Sequence, residues 1–95
     1  MKRYKPGTGP SGWAGQLIRA AHTRVGFDIH GAANLLGVSP GFLFAVEAGM
    51  EQPPLMLCRR VAATFGMPAD EAAELLATAG AAQAAVQEER AWQRV

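Results

Sequence analysis

Two histidines, His22 and His30, one cysteine, Cys58, and eight acidic residues are the side chains with which this chain could make or break bonds. Their placement argues against it. The carboxylates do not cluster, and no Cys or His pair has the spacing of a metal site or of a nucleophile with its base. The glycines near the N-terminus lack the pattern of a phosphate-binding loop. Catalysis is therefore not expected, and neither is a metal or a cofactor. What remains is the chemistry of contact. Lys2, Arg3 and Lys5 put three cations in the first five residues, with no acid before residue 28. Pro40, Gly41, Phe42, Phe44 and Ala45 form an uncharged, partly aromatic run near mid-chain.

Each of these groups needs an element to present it. Residues 1–12 hold three glycines and two prolines and read as a flexible basic arm. Leu17, Ile18, Ala21 and Val25 recur at helical spacing, predicting a first helix over 13–24 that Gly26 stops. Asp28 can cap a second, over 29–36, with Ala32, Ala33 and Leu36 inward. Gly37 ends it, Ser39 can cap a third, and Pro40 fits that helix's first turn, where a missing N–H costs nothing. The third helix runs to about Ala48 before Gly49. A short helix, a glycine-containing turn and a second short helix are the sequence form of a helix-turn-helix. Leu55, Cys58, Val61, Ala62 and Phe65 mark a fourth helix, and Asp70 and Glu71 suit the start of a fifth after Pro68. Beyond Gly80, an alanine-rich stretch carries Val86 and Trp92 on a thin apolar stripe, an additional C-terminal helix in need of a surface.

Ninety-five residues with 49% hydrophobic content suit one small all-α domain. The net charge of +1 is uninformative, but its distribution is not: residues 70–95 hold five acids against Arg90 and Arg94. The chain is basic at the front and acidic at the back. A single cysteine and the lack of a long apolar run lead us to expect a cytoplasmic protein.

From Gly15 to Leu76 the chain resembles the lambda-repressor-like, Xre/Cro-type helix-turn-helix family. Gly15, Ile18 and Arg19, then Gly26-Phe27, then Ala33-Asn34-Leu35-Leu36-Gly37-Val38-Ser39 carry the likeness into the turn. Glu47, Gly49, Gln52-Pro53-Pro54-Leu55, Val61-Ala62 and Phe65-Gly66-Met67 carry it onward. The resemblance implies a five-helix domain whose third helix enters the major groove of duplex DNA, usually as a homodimer on an inverted repeat. Ser39, Pro40, Gly41, Phe44 and Ala45 would then meet the groove, with Ile29, Met50 and Gln52 beside it. Helix starts near Asp28 and Ser39 would approach phosphates. Departures from the family pattern matter equally. Ile29 stands where a phosphate-bonding Gln is common, and Pro40, Gly41, Phe44 and Ala45 stand where Arg, Gln, Ser or Asn are usual. None of the four can make the bidentate base contacts that separate G·C from A·T. His22 replaces an Arg that commonly pairs with the Glu matching Glu47, so His22 and Glu47 are expected to tie helices one and three together.

Two functions of different class follow. The first is a DNA-binding transcriptional regulator, with Lys2, Arg3 and Lys5 supplying phosphate or minor-groove contacts and Phe44 touching thymine methyls. The second is a protein-interaction adaptor or antitoxin on the same fold, docking a partner through the apolar third helix or the last helix. Val86 and Trp92 fit a dimer contact, a partner surface, or packing against their own domain.

Overall fold

The computed structural model describes residues 9–93, with the side chains of residues 9–82. Its regular structure is helical throughout: α1 (Gly9–Arg24), α2 (Ile29–Leu36), α3 (Pro40–Glu47), α4 (Leu55–Thr64) and α5 (Ala69–Gln93), with no strand among the described residues. No single helix among them is long and apolar enough to cross a membrane.

The short helices begin and end where local chemistry directs. The Asp28 carboxylate accepts the Gly31 N–H at 2.8 Å and opens α2. Gly37, at φ +73°, closes it; the N–H groups of Gly37 and Val38 donate to the carbonyls of Asn34 and Ala33. That left-handed conformation is one that glycine adopts without a Cβ penalty. Ser39 Oγ accepts the Phe42 N–H at 3.1 Å, and Pro40 occupies the first turn of α3. Each cap satisfies a donor the helix cannot, worth about 1 kcal/mol.

Ile18, Leu36, Leu43, Val46, Cys58, Val61 and Leu75 fill the centre of the bundle, with Pro53 sealing it from the α3–α4 loop. Burial pushes the Cys58 thiol up to about 11, so it is a core side chain rather than a nucleophile. At the flank, Trp13 Nε1 donates to Glu74 at 2.9 Å, and Arg24 at the end of α1 donates to Glu71 at 3.0 Å. The second pair is exposed, 45% and 39%, and worth under about 1 kcal/mol.

Several expectations need correction. Helix α1 starts at Gly9 rather than at residue 13, so four residues of the expected arm are helical. Pro10 is tolerated there because first-turn N–H groups have no intrahelical acceptor to lose. Gly80 does not interrupt α5, which runs unbroken over twenty-five residues. The additional C-terminal helix is thus a continuation of α5, and the cost of one glycine, about 1 kcal/mol, did not suffice to break it. Val25 is 46% exposed because α1 has ended before it. Leu55 and Ala62 are half-buried, and Leu57, not among the expected core residues, is buried.

Helices α1 and α3 approach most closely at Gly15. A Cβ added there would lie 2.4 Å from the Val46 carbonyl oxygen and 2.6 Å from that of Glu47. Both obstacles are backbone and cannot rotate aside. Gly15→Ala should therefore destabilise the fold by about 2–3 kcal/mol, the cost of overpacking, read as a lowered urea midpoint. Gly80, with open space around it, is the control: Gly80→Ala should stabilise by up to about 1 kcal/mol. An unchanged midpoint for Gly15→Ala would mean that the two backbones do not meet.

Candidate functional site

Helix α3 projects from the bundle because the chain bends by 108° between α2 and α3 across Gly37, Val38 and Ser39. Its inner face is short. Leu43 and Val46, three residues apart, are fully buried, which leaves the opposite side to solvent. There stand Pro40, Gly41 and Phe44, the last 59% exposed. Nothing lies within 4 Å of a Cβ added at Gly41, so backbone can be approached closely at that point. Ala45 is half-buried, its carbonyl taken by the N–H groups of Met50 and Glu51. Phe42 is half-buried against the core, as its place one residue before Leu43 allows.

The remaining residues expected at this face divide. Ile29 is half-buried, packs against the core and shares a cavity with Phe44. Ser39 is exposed, with its hydroxyl engaged as the cap. Met50 is 73% exposed but does not line that cavity, and Gln52 is half-buried in the following loop. Lys2, Arg3 and Lys5 lie outside the described residues, and the side chains of Val86 and Trp92 lie outside those described.

His22 and Glu47 meet as expected. The Nε2 to Oε2 distance is 2.7 Å, with side chains 4% and 7% exposed. The other ring nitrogen, Nδ1, sits 2.8 Å from the carbonyl oxygen of Phe27. A carbonyl can only accept, so Nδ1 carries a proton and donates it. One further proton then lies between Nε2 and the carboxylate. The Phe65 ring, 6.1 Å from the imidazole and 5.8 Å from Phe27, closes the far side. A single side chain thus binds the end of α1, the α1–α2 turn and the last turn of α3.

Above this pair lies an open cavity of about 440 Å³ between α1, the start of α2 and α3. Ile29, Phe27 and Phe44 give it apolar walls, and Arg19, Asp28 and Glu47 give it charge. Sequence reasoning singled out Ile29, Phe44 and Glu47 but missed Arg19, Thr23, Phe27 and Ala48. The only available signal was spacing: Arg19 precedes His22 by one helical turn and so shares its face. Among the described residues no group of His, Cys, Asp and Glu is arranged to hold a metal ion. Comparison with protein-family models, with characterised proteins and with solved structures finds no match for this chain.

The His22–Glu47 pair should dominate the local energetics. Truncating either partner to Ala strands the other in a buried site, costing about 3–5 kcal/mol. A double-mutant cycle on urea midpoints should return a coupling of about 1.5 kcal/mol or more, whereas Arg24→Ala should cost under about 1 kcal/mol. Additive effects of His22→Ala and Glu47→Ala would show that the contact carries no energy.

Proposed function

We propose that this chain is a DNA-binding transcriptional regulator that meets duplex DNA with α3, as a homodimer on an inverted repeat. The observation that carries the reading is the pair of eight-residue helices turned through 108° about a three-residue glycine-containing link, with the first turn of the second left open to solvent. Such a pair presents one helix end to a groove about 12 Å wide while the other braces it. Gly41 lets the backbone come close, and its N–H is one of the first-turn donors that the helix itself cannot use. Phe44 reads thymine methyl groups, and Ser39, Pro40 and Ala45 complete the contact. Specificity then rests on methyl contacts and DNA shape rather than on charged base contacts.

Affinity must come from elsewhere. All eight acids lie within residues 9–93, whose lysines and arginines are Arg19, Arg24, Arg59, Arg60 and Arg90 alone. Arg24 is held by Glu71, and Arg60 by the Leu36 carbonyl. Lys2, Arg3 and Lys5 are the remaining source of phosphate contacts on the N-terminal side.

The same cation-poor surface supports a second reading, an adaptor or antitoxin whose partner protein covers Phe44 and its neighbours. An exposed aromatic beside half-buried Ile29 is a common kind of anchor for protein contacts.

Selection of bound duplexes from a random pool separates the two. The regulator reading expects one enriched inverted repeat with thymine-rich half-sites. Phe44→Ala should then weaken binding to that site about tenfold, the scale of one lost base contact, without changing retention of unrelated duplex. Replacing Lys2, Arg3 and Lys5 together with Ala in the full chain should lower affinity for all sequences and reduce the salt slope by about 3. Recovery of no motif, with Phe44→Ala indistinguishable from the parent, contradicts the regulator reading and leaves the partner-protein one.

A further inference from the structure

One polar atom in the α1–α2–α3 cavity is not used by the fold. Glu47 gives Oε2 to His22, while Oε1 has no hydrogen bond to any described residue, although the side chain is only 7% exposed. No fully buried side-chain oxygen or nitrogen among the described residues lacks a partner, so Oε1 opens into the cavity that Glu47 lines. At the rim, Asp28 commits one carboxylate oxygen to the Gly31 N–H and leaves the other to the cavity side. Between these two acceptors the walls are apolar and partly aromatic.

An occupant must therefore bring several N–H donors, positive charge and a flat surface into an apolar setting. A guanidinium group combines the three: a planar fork of donors, a permanent charge and weak hydration that lets it lie on an aromatic face. We propose that this cavity is a binding site for a guanidinium on a short apolar stem, held by Glu47 Oε1 and the Asp28 carboxylate with its plane against Phe44. The stem lies along Ile29 and Phe27. Arg19, exposed at the rim without a described partner, is the opposing feature, since it repels an incoming cation. The site stands whether or not α3 meets DNA. Its source is either a free alkylguanidine or an arginine side chain of a partner protein; the chemistry is the same.

Titration of the full chain with n-butylguanidinium, followed by amide NMR, tests it. The expected result is a saturable shift at Ile29, Phe44 and Glu47, with the neutral isostere n-butylurea binding about tenfold or more weakly. Asp28→Asn, which keeps a competent helix cap, and Phe44→Ala should each weaken binding about threefold or more, and Arg19→Ala should tighten it. A peptide with arginine between apolar residues binding about tenfold tighter than n-butylguanidinium would point to a protein source, and equal affinities to a small molecule. Absence of saturable shifts, equal binding of n-butylurea, or weaker binding to Arg19→Ala would each overturn the proposal.

Discussion

The surface formed by α2 and α3 depends on how closely α1 and α3 approach. Gly15 brings the two backbones to within a distance that no side chain could share, and two helical turns further on His22 fastens the end of α3 by its carboxylate. An eight-residue helix has little stability of its own. With only Leu43 and Val46 fully buried, α3 gains from a second fastening that sets its rotation as well as its position. The imidazole supplies it, because its two nitrogens point in different directions and one ring reaches both Phe27 and Glu47. Exposed pairs such as Arg24–Glu71 are screened by water and contribute far less.

This arrangement explains why the outward face of α3 is free to be apolar. Its orientation is set from behind, by α1, and needs nothing from Pro40, Gly41 or Phe44. The face is therefore available for contact with another molecule, at the cost of exposing an aromatic ring. Where the charge lies is the counterweight. The helical body is acidic, and the cations that would draw it to a phosphate backbone sit at the N-terminus, away from the reading face. Division of labour between an apolar reader and a basic arm is consistent with the low net charge.

Much of this was legible from residue types alone where the controlling physics is local. Asp28, Gly37, Ser39 and Pro40 each act on the next three or four residues, and the bounds of α2 and the start of α3 follow from them. Where tertiary contacts decide, the residues misled. Gly9, Pro10 and Gly12 look like a linker, yet Gly12 lies against Gly49 at the end of α3, and packing overrides their weak helix propensity. Gly80 looks like a break, but favourable helix formers on both sides carry α5 through it. The His22–Glu47 tie was reached only through a family resemblance, since twenty-five residues separate the partners. The cavity was not legible at all, because its walls come from three helices and its unused oxygen is defined by what does not touch it.

The central claim is that α3, held from behind by α1, is the face on which this protein works. Amide-resolved NMR of the full chain with added duplex DNA tests it most directly, because each helix reports separately. The account predicts shifts concentrated from Ser39 to Ala45, with the outer faces of α4 and α5 silent. Shifts confined to α5, or none at any concentration of duplex, would contradict it.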